Sequence, residues 1–368
     1  MTARLTVRTG SAAYPVLFSD GLLDELGQQL QELGVTTSRP LFLVTDENLA
    51  RLGYPDHAAE SCRKAGYVLH KAVVAPTDAS KSLATAERLY EAMVEAGIPR
   101  NGIVLALGGG VVGDLAGFVA ATYYRGIPFI QLPTTLLAHD SSIGGKVGIN
   151  LRSGKNLVGA FHQPLAVMFD VSLLASLPAR EWAAGMAEVI KHGLIGDAEL
   201  FRELLRAPLT CYPGPAPTET LLARACAVKV AVVERDERES GERMKLNLGH
   251  TVGHAVEQYS HYQLNHGEAV SIGIAVETQM AVHRGLVSTT ERDQIFAALQ
   301  AHGLPLRTAD FPLAEVMEYL RHDKKHTSEG WRFALPKGIG EVVVVRDATY
   351  DEVARAWTDV HQNGGWTC

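Results

Sequence analysis

The stretch GIVLALGGGVVGDLAGFVAATYY, residues 102–124, decides the reading of the first half of the chain. Its IVLAL is apolar without alternation, which marks a strand buried on both faces. Glycines 108–110 follow, and VVGDLAGFVAATYY (111–124) then repeats its apolar residues at helical spacing. A buried strand passing through a glycine turn into a helix is one unit of a parallel, helix-flanked sheet. Two explanations of the glycines stand side by side. They let backbone N–H groups approach a pyrophosphate at the helix N-terminus, or they serve a tight turn that needs positive φ. The spacing is not GxGxxG, so the standard dinucleotide fingerprint is absent.

Outward from this unit the same alternation recurs. PLFLVTD (40–46), YVLHKAVVA (67–75), PFIQLP (128–133) and LAVMFD (165–170) read as strands, and SLATAERLYEAMVEAG (82–97) as a helix. Ligands in such sheets gather at the carboxyl ends of strands. Asp46 closes one strand and can meet a ribose hydroxyl; Thr134 and Thr135 add hydroxyls after another. From about residue 178 the pattern changes to helices: REWAAGMAEVIKHGLI, ETLLARACAVKVAVVERDE, HTVGHAVEQYS and HGEAVSIGIAVETQMAVHRG. APLTCYPGPAPTE (207–219), with four prolines, reads as a loop between helices. WRFALPKGIGEVVVV reads as a hairpin with glycines at its turn. The expectation is an α/β, Rossmann-like dinucleotide-binding domain over 1–177 and a mainly α-helical metal- and substrate-binding domain over 178–368.

The 368 residues are too many for one ordinary core, which fits two domains. Apolar residues make up 46% and charged ones 20%, as in a folded globular protein. The net charge of −7 argues against general nucleic-acid binding, which needs a broad basic surface. The four cysteines (Cys62, Cys211, Cys226, Cys368) have no CxxC spacing, so neither a zinc ribbon nor a disulfide framework is suggested. MTARLTVRTG lacks the apolar core of a signal peptide. No apolar run approaches the roughly 18 residues that span a bilayer. A cytoplasmic protein is expected.

The charged residues sit in two kinds of place. SSIGGKVGINLRSGKN (141–156) brings Lys146, Arg152, Lys155 and Asn156 into a glycine-rich segment suited to anion binding. Lys191 and Lys229 interrupt apolar helical faces, where a lysine must snorkel or meet an anion. Arg243 and the pair Lys324–Lys325, taken singly, are as well explained by solvent. In LNLGHTVGHAVE (246–257), His250 and His254 stand four apart on one helical face. Thr251 follows His250, so this is not HExxH. With His266 and with Glu188, a carboxylate on an apolar face, two histidines and a carboxylate make a catalytic zinc arrangement. Ordinary core histidines remain the alternative, and the pattern does not say which of the first pair would bind.

Taken together, these segments resemble the 3-dehydroquinate synthases. The resemblance runs from about residue 40 to about 345. It rests on GGGVVGDLAGFVAATYYRG, PTTLLAHDSSIGGKVGINLRSGKNLVGAFHQP, AGMAEVIKHGLI, KVAVVERDERESGERMKLNLGHTVGHAVE and HGEAVSIG, five motifs in fixed order. It implies an NAD-dependent cyclase of the shikimate pathway with one divalent metal per chain, zinc or cobalt, and an active site in the cleft between the domains. The implied metal ligands are Glu188, His250 and His266, with His254 facing the substrate. Implied substrate contacts are Lys146, Asn156, Lys191, Lys229, Arg243, Asn247 and Lys324, with Asp140 in the same site. Implied NAD contacts are Asp46, Asn48, Asp78, Lys81, Gly109, Gly110, Val111, Gly113, Asp114, Thr134, Thr135, Asp140, Lys146, Lys155, Leu173 and Ser176. Such enzymes form homodimers in which an arginine, here Arg125, reaches the neighbouring site.

The implied substrate is a phosphorylated sugar acid, 3-deoxy-D-arabino-heptulosonate 7-phosphate. The implied sequence is oxidation by NAD, phosphate elimination, reduction by the same cofactor, ring opening and aldol closure. His254 or Lys191 would carry a proton. Two departures are visible: Asp78 in PTDASK stands where glutamate is common, and LLAHDSS is one residue shorter than LLAQVDSS. The retained DSSxGGK segment favours this reaction over those of inosose- and valiolone-forming relatives. An enzyme for the amino analogue of the substrate and a metal-dependent polyol dehydrogenase are the rival expectations.

Overall fold

The computed structural model describes residues 3–152, 154–308, 311–321, 326–327 and 330–362. The chain divides into two compact units. One comprises residues 1–177 and 213–226, the other 178–212 and 227–368.

The first unit begins with strands β1 (Ala3–Arg8) and β2 (Ala13–Ser19), a hairpin, then α1 (Leu26–Glu32), β3 (Leu41–Asp46), α2 (Glu47–Arg51), α3 (Tyr54–Lys64) and β4 (Leu69–Val74). It continues with α4 (Leu83–Glu95), β5 (Ile103–Gly108), α5 (Gly110–Thr122), β6 (Phe129–Pro133), α6 (Ala138–Ser141), β7 (Lys146–Leu151), β8 (Gly154–Phe161) and β9 (Ala166–Asp170). The seven-stranded sheet has the order β1-β2-β9-β6-β5-β3-β4, and every pairing except β1 with β2 is parallel. The five strands read from the sequence all lie in it.

Strand alternation divides the core into two layers. Leu41, Leu43, Ile103, Leu105 and Leu107 face α1 and α3 on one side. Phe42, Val44, Val104 and Ala106 face α4 and α5 on the other. Such strands must be apolar at every position, which is why β3, β5, β6 and β9 are buried from end to end. The edge strand β4, LHKAVV, is half exposed and carries Lys71, a residue that discourages further pairing. From β3 the chain steps outward to β4, then returns across β3 to β5 and β6. The winding therefore reverses between β3 and β5, and the crevice for a ligand is expected at their carboxyl ends.

Two hairpins were not anticipated. β1 and β2 alternate Leu5, Val7, Tyr14, Val16 and Phe18 around a turn at Thr9–Ala12. β7 and β8 pair antiparallel through the glycine-rich segment that the charges alone had characterised.

The second unit holds α7 (Ala179–Gly196), α8 (Ala198–Arg206), most of the later part of α9 (Pro215–Arg235), α10 (His250–Tyr259), α11 (His266–His283), α12 (Thr289–Ala301) and α13 (Leu313–Arg321). Strands β10 (His326–Thr327), β11 (Gly330–Pro336) and β12 (Val342–Ala348) form a three-stranded sheet, and α14 (Tyr350–Gln362) follows. The expected hairpin is β11–β12, with Gly338 and Gly340 at positive φ in its turn. The proline-rich stretch is shorter as a loop than expected, because Pro215 and Pro217 fall in the first turn of α9, where a missing N–H costs nothing. α11 is buried all round from Ala269 to Ala281. It packs with α10, β11 and α14 around Val252, Val256, Ile272, Val276, Phe333 and Trp357.

Candidate active site

At the reversal point of the first unit, Asp46 ends β3. Its Oδ1 accepts from the N–H groups of Asn48 (2.8 Å) and Leu49 (3.1 Å), so Asp46 caps α2, and the Asn48 side chain accepts from Arg51. Across the crevice, Gly109 caps α5 with φ −75° and no side-chain hydrogen bond. None of Gly108, Gly109, Gly110 and Gly113 has positive φ, so the tight-turn explanation falls. Closeness is what requires them: a Cβ would lie 3.0 Å from Thr135 Cγ2 at Gly109 and 2.8 Å from Gln131 Oε1 at Gly113. The α5 amides, starting at Gly110 and Val111, are thus bare toward an anion. The Thr134 N–H bonds to Gly108 O (3.1 Å), and the Thr135 hydroxyl accepts from the Ala138 N–H (3.2 Å) at the start of the short helix that carries Asp140.

A second polar group in this unit is already knitted together. Lys81 Nζ donates to Asp114 Oδ2 and to Asn156 Oδ1, both at 2.6 Å. Lys155 Nζ meets Asp78 Oδ2 at 2.5 Å, and the Asn156 N–H donates to Asn150 Oδ1 at 3.0 Å. Asn156 itself has φ 56°. The shorter Asp78 therefore has a lysine partner. Lys146 is exposed at the head of β7. The Leu173 side chain is part of the core beneath the sheet, and the Ser176 hydroxyl donates to Leu173 O at 2.8 Å. Arg125 is exposed with φ 67°.

In the second unit, Glu188 on α7, His250 at the start of α10 and His266 at the start of α11 converge. One donor atom from each lies within 4.8 Å of the others. Glu188 Oε1 is 3.4 Å from His250 Nε2 and 3.2 Å from His266 Nε2. Ligands bound tetrahedrally at zinc distances sit about 3.3 Å apart, so the spacing fits one divalent ion. His250 Nδ1 bonds to Leu248 O at 3.0 Å, and His266 Nδ1 faces Glu257 Oε2 at 3.6 Å. Both imidazoles therefore turn Nε2 inward with Nδ1 engaged, as metal-binding histidines do. His254, Glu257 and His266 form an overlapping trio. His254 is exposed, one turn beyond His250, with ring centroids 5.3 Å apart.

The electrostatics divide the two histidines. Burial and the Lys191 charge push His250 well below the usual imidazole range. Burial also pulls on His266, but Glu188 and Glu257 outweigh it and push it up to about 10.

The buried cations lie in the same unit. Lys191 is 1% exposed and pairs with Glu188 Oε2 at 2.5 Å. Lys229 and Arg243 are also buried, and Arg243 Nη1 donates to Glu237 O at 2.6 Å. Asn247 Nδ2 donates to Glu239 Oε1 at 3.1 Å. Lys324 and Lys325 lie outside the described residues.

Three acidic residues went unread in the sequence. Glu239 holds Asn247, Glu257 backs His266, and Asp236 accepts from the N–H groups of Ser240, Gly241 and Arg243 and from the Ser240 hydroxyl. Burial works against the Asp236 carboxylate, but these bonds outweigh it and hold its pKa at about 2. Glu239 and Asp236 were hidden in RDERESGER, whose composition suggests a solvated face. Glu257 was readable, since it lies seven residues after His250 on one helix.

Two family models match, one described as 3-dehydroquinate synthase N-terminal over residues 71–184 and one as 3-dehydroquinate synthase C-terminal over 185–326. A 3-dehydroquinate synthase of Geobacter metallireducens is 43% identical over 353 residues, covering 95% of this chain and 97% of that protein. Among solved structures, a 2-epi-5-epi-valiolone synthase from Streptomyces hygroscopicus with NAD+ and Zn2+ bound superposes with a TM-score of 0.86 at 30% identity, covering 95% and 97%. A 2-deoxy-scyllo-inosose synthase with carbaglucose-6-phosphate, NAD+ and Co2+ gives 0.82 at 25% identity, covering 95% of each. With both halves matched in order and a relative this similar along almost its whole length, the chain belongs to the 3-dehydroquinate synthase family.

Proposed function

We propose that the protein is a 3-dehydroquinate synthase, an NAD- and divalent-metal-dependent lyase that converts 3-deoxy-D-arabino-heptulosonate 7-phosphate to 3-dehydroquinate and phosphate. The observation that carries this reading is the Glu188–His250–His266 trio, one donor atom of each within 4.8 Å of the others, in a unit that also buries Lys191, Lys229 and Arg243. Three buried cations suit a substrate with both a carboxylate and a phosphate, and are wasted on a neutral polyol. The 43% identity to a dehydroquinate synthase, against 30% and 25% to the valiolone and inosose enzymes, supports this member of the superfamily.

When bound, the metal polarises an alcohol oxygen and NAD takes up and returns a hydride. The chain's own residues do the rest. Glu188, His250 and His266 hold the ion. Lys191, Lys229, Arg243, Asn247, Lys146 and Asn156 bind and orient the anionic groups of the substrate. Glu239 fixes the Asn247 amide and Asp236 the Arg243 backbone. His254, exposed beside the trio, moves the proton of the reacting hydroxyl. The Gly109–Asp114 turn, Asp46 and Thr134–Thr135 receive NAD. Exposure favours His254 over Lys191 as the proton carrier, because Lys191 is buried beside Glu188.

A homodimer in which Arg125 serves the neighbouring active site belongs to the same reading, as does a cytoplasmic location. The exposed Tyr124, Arg125 and Phe161 support such an interface. No helix among the described residues is long and apolar enough to cross a membrane.

The test is incubation with the heptulosonate phosphate and NAD, following phosphate release, product mass and reduced cofactor together. Stoichiometric phosphate and dehydroquinate with no accumulation of NADH are expected. Net NADH without phosphate release would instead identify a dehydrogenase.

A further inference from the structure

α10 begins at His250, so whatever positions the first turn of that helix positions a metal ligand. The N-cap is Gly249, at φ 78°, with no side-chain cap. Only glycine suits it: beyond the left-handed backbone, a Cβ would lie 2.6 Å from Ile274 Cγ1 and 2.7 Å from Val270 O on α11. The neighbouring helices do not share this difficulty. α11 and α12 each begin with a complete capping box, Asn265 with Glu268 and Ser288 with Glu291. α10 has no such residue of its own, and its first N–H groups need acceptors from elsewhere.

The acceptor is Glu277, fully buried on α11. Its Oε2 accepts from the Gly249 N–H at 2.5 Å and its Oε1 from the Val252 N–H at 3.4 Å. These are the N-cap and N3 donors, the pair that a capping box satisfies with two side chains of its own helix. Here one carboxylate from a different helix takes both. The helices approach closely enough for this: a Cβ at Gly273, one turn before Glu277, would fall 1.9 Å from Gly249 O. A carboxylate also suits the positive end of α10, and a buried one without such bonds would be strongly unfavourable.

We propose that Glu277 is a positioning residue for the metal site, capping α10 from outside and thereby setting His250 against Glu188 and His266. The inference rests on those three residues being the ligands. His250 is then pinned on two sides, by Leu248 O at its own Nδ1 and by Glu277 at the backbone that carries it.

The test measures zinc affinity, by competition with a chromophoric chelator, and the visible spectrum of the cobalt-loaded protein. Glu277→Gln keeps the volume and one acceptor but turns an NH2 toward one of the two N–H groups. It should weaken zinc binding by about tenfold and alter the cobalt bands; Glu277→Ala should weaken it further, toward a hundredfold. Val353→Ala, which loosens the core of the same unit on α14, should lower the thermal midpoint and leave affinity and spectrum unchanged. Glu277→Gln with zinc affinity within about twofold of the unaltered protein overturns the inference alone. So does a Glu277→Gln chain that fails to fold, since a residue needed by the whole unit does not act on one ligand. His250→Ala separates the underlying assignment: it should abolish tight zinc binding, and a variant that still binds tightly overturns both.

Discussion

Lys191 and Glu188 are buried together on one face of α7, 2.5 Å apart. Removing one member of a buried pair leaves the other uncompensated and costs about 3 kcal/mol or more. A bound divalent ion, however, also neutralises Glu188. Lys191→Met should therefore destabilise the metal-free protein by about 3 kcal/mol, with most of the loss recovered on adding zinc. Paired denaturation curves with and without the ion check this. Asp236 yields a second residue-scale expectation. Its folded pKa, about 2, lies below the ordinary carboxylate value, so its contribution is present above pH 4 and disappears as the pH falls from about 4 to 2. The contribution is about 2 kcal/mol. Asp236→Asn should be less stable at pH 7 by that amount and should lose less than the unaltered protein on acidification, read from urea midpoints at both pH values. At this scale the sequence was most informative where a residue type is unusual for its surroundings. Glu188 and Lys191 on an apolar helix stand out, whereas Asp236 and Glu239 in RDERESGER do not, because burial of a charged run is decided by what packs over it.

At the scale of elements, the metal trio exists because three helix segments come close. α7 and α11 are tied at the surface by Arg180, whose Nε and Nη2 each meet Glu268 at 2.7 Å, and in the interior by glycine. A Cβ at Gly267 would fall 2.2 Å from Ala184 O, inside the first turn of α11 and beside His266. Gly267→Ala should force the two helices apart at a cost of about 3 kcal/mol and lower zinc affinity with it, measured by thermal unfolding and chelator competition. On the nucleotide side, Gly109→Ala should fold, since φ −75° accommodates a side chain and the crowding Thr135 Cγ2 is the end of a side chain that can shift, yet weaken NAD binding by tenfold or more, read by fluorescence titration. The strands were legible because parallel strands buried on both faces must be continuously apolar. The two hairpins were not, because β1–β2 and β7–β8 mix polar and apolar residues and show themselves only through their partners. Proline likewise hid the start of α9, since the same residue that breaks a helix interior begins one well.

For the molecule as a whole, the sequence shows a change of period near residue 178, and nothing in it corresponds to the membership of 213–226 in the first unit. That membership depends on long-range packing, which local pattern does not encode. If the proposed dimer forms, sedimentation should give twice the chain mass, and Arg125→Ala should lose most turnover while each chain retains its zinc. The sheet also has a consequence in time. Val16 of β2 pairs with Val167 of β9, so the opening hairpin has its parallel partner only after some 150 further residues are made. At about 5–20 residues per second on the ribosome, that is a wait of roughly 8 to 30 seconds. Throughout it, β2 presents an unpaired edge. β2 and β9 meet late in synthesis, so at high expression rate aggregation should begin through that waiting edge, before β9 has emerged to cover it.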